Sequence, residues 1–106
     1  MIKIMQTSFG DKGNCFNACV ASLLEIPIDE LPDFSQWACW HYKYQQFLRN
    51  QHNYGMVTIL NKGTNLLTDL IVIASGHGPR RLHHSVLYRN GDLSHDPHPD
   101  NNGLDE

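Results

Sequence analysis

The chain has 106 residues, 41% hydrophobic and 18% charged, with a formal net charge of -3. That length supports one domain, residues 1–106, with a single modest core, and the composition excludes wholesale disorder. The acidic balance argues against a nucleic-acid surface, whose signature is clustered Lys and Arg, and no apolar run approaches the roughly 20 residues that span a bilayer. Arg80-Arg81 stands alone as a basic dipeptide and reads as a solvated turn. The opening "MIKIMQTSFGDKG" carries no long apolar signal segment. Three cysteines, Cys15, Cys19 and Cys39, leave at least one thiol unpaired, and the first two sit one helical turn apart, a poor spacing for a disulfide. A reducing, cytoplasmic compartment is therefore expected.

In chain order, the first helix is expected from Cys15 to about Glu25, with Phe16, Cys19, Val20, Leu23 and Leu24 as its buried stripe. Asn14 suits its N-cap, Gly13 loosens the preceding turn, and Pro27 stops the helix. A second helix is expected from Ser35 to about Gln51, with Trp37, Trp40, Tyr44, Phe47 and Leu48 on its apolar side. After Asn53 the periodicity changes. "MVTIL" (56–60) and "DLIVIA" (69–74) are short and β-branched and read as strands, with "NKGTNLLT" a turn between them. "LHHSVLYRNGDLSHDP" reads as two strands around Asn90-Gly91, the strongest hairpin signal in the chain, and the tail "PDNNGLDE" as polar and frayed. Helices followed by strands predict an α+β domain, N-terminal helices packed on an antiparallel sheet.

Cys15 draws attention because it opens a helix. There the unpaired backbone N–H groups and the positive end of the helix dipole favour thiolate, the nucleophilic form. The plainer alternative is that it packs as one more small apolar residue, as Cys19 does. A thiol nucleophile needs a base and a group that orients the base. Of seven histidines, His41 and His52 fall on the polar second helix and His77 in the loop "SGHGP". The dense cluster is "HHSVLYRNGDLSHDPHP", where His84 opens an apolar strand and Asp96 follows on its neighbour.

Register decides whether those two can meet. A two-residue loop at Asn90-Gly91 sets Arg89 across from Asp92 and His84 across from Pro97, which puts Asp96 on the wrong face. A three-residue loop, Arg89 to Gly91, pairs Tyr88 with Asp92 and sets His84 directly across from Asp96. Local propensity favours the first loop. A base and its orienter require the second, and that is the arrangement expected here.

Taken together, Cys15 at the start of an early helix, His84 opening a strand and Asp96 on an adjacent strand resemble the papain-like cysteine peptidases. "HSVL" with "HDP" is similar to the bacteriocin leader-processing branch, and "GNCFNACVASLLEIP" with "HHSVL" and "HDPHP" is similar to small bacterial and phage proteins that share those blocks. The resemblance covers roughly residues 6 to 27 and 79 to 104. It implies a minimal papain-like fold, a catalytic Cys15, His84 and Asp96, no cofactor, no metal, and a peptide or protein substrate in a bacterial or phage-infected cytoplasm. It also implies an oxyanion donor upstream of the cysteine, either Gln6, at a longer separation than is usual in that family, or Asn14. Phe16 stands where the leader peptidases carry Gly, and the chain is shorter than most papain-like domains. The implied function is a hydrolase or acyl-transfer enzyme that cleaves a peptide, isopeptide or other amide bond through a thioester.

Two other classes stay open on the sequence. Cys15, Cys19, His95 and His98 are a Cys/His set of the kind zinc accepts, although the spacing matches no structural zinc pattern. A catalytically inactive domain that binds a host factor would carry the same residues without turnover. Outside the catalytic set, His95 and His98 are expected to be structural or at the rim of the site.

Overall fold

The computed structural model describes residues 1–9, 13–33, 39–56, 71–78, 83–89 and 92–104. Its class is α+β. The chain divides into two compact units, Met1–Leu31 with Gly63–Glu106, and Pro32–Lys62.

In the first unit, helix α1 spans Cys15–Leu24 and packs on strand β2 of a three-stranded antiparallel sheet ordered β1-β2-β3, with β1 at Ile71–His77, β2 at His83–Arg89 and β3 at Asp92–His95. The helix ends where Glu25 turns left-handed (φ 58°) and the Ile26 N–H reaches back to the Ala21 carbonyl at 3.1 Å. Pro27 then holds an extended backbone that cannot continue the helix, and a short 3-10 turn follows at Ile28–Glu30.

The buried face of α1 is Ala18, Cys19, Val20, Ala21 and Ser22, set against a core that includes Val86 and Leu87 of β2. This corrects the expected stripe: Leu23 is 36% exposed, and Phe16 and Leu24 are only half-buried. Small side chains face inward because the N-terminal segment crosses α1 closely. The Ile4 N–H donates to Ser22 Oγ at 2.9 Å, while the Ser22 hydroxyl donates to the Ala18 carbonyl at 2.8 Å.

β1 and β2 pair in unbroken register from Ile71 opposite Arg89 to His77 opposite His83. His77, expected in a loop, is thus the last residue of a strand. The β-branched run Ile71, Val72 and Ile73 suits a pleated surface. Most of the expected strand at 56–60, and Ser35 and Trp37 of the expected second helix, lie outside the described residues.

In the second unit, helix α2 (Trp40–Phe47) runs on into a π-helical turn, Leu48–His52, closed by left-handed Asn53. Tyr44 and Leu48 are its buried residues, with the rings of Trp40 and Phe47 edge-on to Tyr44. His41 is exposed and His52 is half-buried, its ring edge-on to Phe47. No helix among the described residues is long and apolar enough to cross a membrane.

Candidate active site

Cys15 is the first residue of α1. Asn14 precedes it but makes no side-chain cap, contrary to expectation. Its side chain is used on the preceding segment instead: Oδ1 accepts from the N–H groups of Thr7 (2.9 Å) and Ser8 (3.0 Å), and Nδ2 donates to Thr7 Oγ1 (2.8 Å). Asn14 thereby clamps residues 7 and 8 against the helix start, and the first-turn N–H groups beside Cys15 take no bond from it.

His84 and Asp96 do meet, by a different route from the one expected. Arg89 faces Asp92 and Tyr88 faces Leu93, the register of a two-residue loop; Asn90 and Gly91 themselves lie outside the described residues. The expected three-residue loop, and the direct opposition of His84 and Asp96, are therefore corrected. One step further on, Leu87 faces His95, so Ser94 is an extra residue on β3. A bulge of this kind turns every later side chain to the other face of the sheet. Asp96 accordingly lands on the face that His84 occupies, and His84 Nε2 lies 2.7 Å from Asp96 Oδ1.

Both side chains are buried, the carboxylate completely. Asp96 Oδ1 also accepts from the His98 N–H (2.9 Å), and Oδ2 accepts from the Gly103 N–H (2.8 Å). Gly103 is buried at a φ of +70°, a conformation that favours glycine. The expected frayed tail is thus tied down, at least as far as Gly103, because the Asp96 carboxylate anchors it. With Asp96 as acceptor, the Nε2 proton of His84 is assigned, and Nδ1 is the ring nitrogen left over.

Burial pushes the Cys15 thiol up. The hydrogen bond with His84 opposes it most, followed by the Ser85 backbone, the charge on His84 and the Ser85 hydroxyl, and together they hold the thiol below its ordinary value. His84 moves the other way. Its bond to Cys15 raises it, burial lowers it, and the Asp96 bond and the two negative charges raise it, leaving it above the usual imidazole range. These opposite shifts favour a thiolate beside an imidazolium. Cys19, one turn along, is pushed strongly up by burial and by the charges of Cys15 and Asp96, so it stays a thiol.

Gln6 is buried near the Asp96 segment, its N–H bonded to the Pro97 carbonyl at 3.1 Å. Its Nε2 donates one hydrogen to the Ser8 carbonyl (2.9 Å), and its buried Oε1 has no partner among the described residues. His95 Nε2 bonds to the Ile4 carbonyl at 2.8 Å. The His98 ring stands edge-on to His84 at 6.3 Å, with Phe9 edge-on to His98 at 5.2 Å. Among the described residues no three His, Cys, Asp or Glu side chains are grouped to hold a metal ion, and the set Cys15, Cys19, His95 and His98 is not brought together as one.

One contributor, Gly103, had no usable signal in the sequence. Gly103 sat in a polar tail, and only "NNG" hinted at a left-handed turn. Comparison of the chain with protein-family models, with curated proteins and with solved structures finds no match in any of the three.

Proposed function

We propose that this chain is a cysteine-nucleophile hydrolase or acyl-transfer enzyme that acts on a peptide, isopeptide or other amide bond through a thioester on Cys15. The observation that carries the proposal is the buried His84–Asp96 link at 2.7 Å, together with a helix-opening Cys15 whose thiol is held below its ordinary value with His84 opposing burial most. It has the order and the roles of the papain-like resemblance.

The chemistry follows from those roles. The imidazole holds the thiol proton, and the thiolate attacks an acyl carbon. Negative charge then develops on the acyl oxygen, where the Cys15 backbone N–H at the helix start is the first donor. Gln6 Nε2 and Asn14 Nδ2 each spend one amide hydrogen, on Ser8 and on Thr7, and have a second with no partner among the described residues to join it. His84 returns its proton to the leaving amine, and water or another nucleophile releases the acyl group. Asp96 keeps the imidazole oriented and stabilises its charged form. A cytoplasmic setting, a peptide or protein substrate and independence of cofactors belong to the same proposal.

Incubation with a panel of peptide aryl amides and activated acyl esters, followed by acid quench and peptide mapping, tests it. The expected result is an acyl adduct on Cys15 that disappears in Cys15→Ala and in His84→Ala. Acylation spread evenly over the three cysteines, or none at all, would point instead to an inactive binding domain.

A further inference from the structure

His98, at the rim of the site, has a carboxylate partner of its own. Its Nδ1 lies 3.1 Å from the Asp100 backbone nitrogen and 3.2 Å from Asp100 Oδ1. A neutral imidazole with its proton on Nε2 accepts from that N–H, and a charged one donates to that carboxylate. Asp100 therefore serves both states, and the ring can take up or release a proton without turning.

The ring is also fixed in place. The His98 backbone N–H donates to Asp96 Oδ1 at 2.9 Å, so the carboxylate that orients His84 also seats His98. The His98 carbonyl accepts from the Asn101 N–H at 3.1 Å, which closes a turn. Phe9 and His84 stand edge-on to the ring, with centres 5.2 and 6.3 Å away. Nε2 has no hydrogen-bond partner among the described residues, and His98 lines a cavity of about 440 Å³ with Lys3, Met5, Leu93 and Asp96. The two imidazoles thus differ in what they leave open. His84 commits Nε2 to Asp96 and its side chain is 5% exposed, whereas the His98 side chain is 20% exposed.

We infer that His98, held by Asp100, is a further catalytic residue: the base for the acyl acceptor, a water or a small amine, which enters by the cavity beside Asp96. The inference rests on the proposed thioester on Cys15. In this step the acceptor's oxygen or nitrogen bonds to the thioester carbon, its proton goes to His98 Nε2, and the C–S bond breaks to return the Cys15 thiolate. The proton then passes through water to His84, left neutral when the amine departed, and the resting pair is restored. The ordinary alternative is that His98 and Asp100 only close the turn. The other charged or titratable groups about this ring are His84 from β2, Asp96, and Lys3 from the N-terminal segment.

The test loads the protein with p-nitrophenyl acetate, removes excess ester, and follows loss of the acetyl group from Cys15 by mass spectrometry. Wild type, His98→Gln, Asp100→Asn and Cys15→Ala are compared, with thermal melts alongside. His98→Gln should still acylate, and its adduct should decay about 10²-fold more slowly, the low end of what a general base contributes. Added hydroxylamine, which attacks a thioester without a base, should restore fast decay. Asp100→Asn should slow decay by less. If His98→Gln does not fold, Asp100→Asn decides: slower decay supports the second base and unchanged decay overturns it. A folded His98→Gln whose adduct decays as in wild type, or that no longer acylates, overturns the His98 inference and leaves the nucleophile standing. If wild type shows neither an adduct nor nitrophenol release beyond that of Cys15→Ala, the nucleophile falls and the His98 inference with it.

Discussion

His84 reaches Asp96 because β3 carries one residue more than its partner strand can match. Without Ser94 as a bulge, the two-residue loop register would set Asp96 on the far face of the sheet; with it, Nε2 and Oδ1 lie 2.7 Å apart. The bulge is thus a positioning device for the site, as bulges beside active sites often are.

The carboxylate is the acceptor for three donors, which sets a ranking of variants. In Asp96→Asn, an amide NH2 must replace one oxygen, and it then confronts either the His84 and His98 donors or the Gly103 N–H. That should cost roughly 1–3 kcal/mol. Asp96→Ala leaves all three donors without their acceptor and should cost more, about 3–5 kcal/mol. Chemical denaturation measures both. Equal stability in Asp96→Ala and wild type would mean the network does not hold the tail.

The core prediction separates two leucines. Leu87 is fully buried in β2, and Leu87→Ala should cost about 2–5 kcal/mol. Leu23 is 36% exposed on α1, so Leu23→Ala should cost under about 1 kcal/mol. Thermal melts of the two variants check the order, and a larger loss for Leu23→Ala would reverse the face that α1 turns to the sheet.

The pH behaviour follows from the signs of the two shifts. Lowering the thiol extends its charged range toward acid, and raising the imidazole extends its charged range toward alkali. The two titrations therefore move toward each other, and the fraction of protein with both groups charged grows, falling off at low pH as Cys15 takes a proton and at high pH as His84 loses one. Turnover should trace a bell across that range. In His84→Ala the burial that pushes Cys15 up loses its largest opponent, so the thiolate absorbance, read as the difference from Cys15→Ser, should emerge only at higher pH than in wild type. An unchanged titration would mean that His84 does not act on the thiol.

Much of this was legible in the residues. The helix opening at Cys15 and the strands on either side of residues 90 and 91 follow from local chemistry, and the meeting of His84 with Asp96 from one functional constraint, although it is reached through a bulge and not through the expected three-residue loop. What could not be read was set by tertiary contacts. No Gly marks Ser94 as a bulge; the register shifts where the buried Asp96 has to meet its donors. Helical periodicity marked Leu23 as core because it cannot tell which side a crossing segment will approach closely, and Ala18, Ala21 and Ser22 face that side. Asn14 had the right side chain for a cap, but the Thr7 and Ser8 amides claimed it first.

The most direct measurement is competitive iodoacetamide labelling of the folded protein near neutral pH, with each cysteine mapped. All three thiols are free, and exposure alone would rank Cys39 first, Cys15 second and the buried Cys19 last. The proposed thiolate–imidazolium pair of Cys15 and His84 predicts that half-buried Cys15 labels ahead of exposed Cys39, and that His84→Ala removes the lead. Labelling in simple order of exposure, with no change in His84→Ala, would contradict a nucleophilic Cys15.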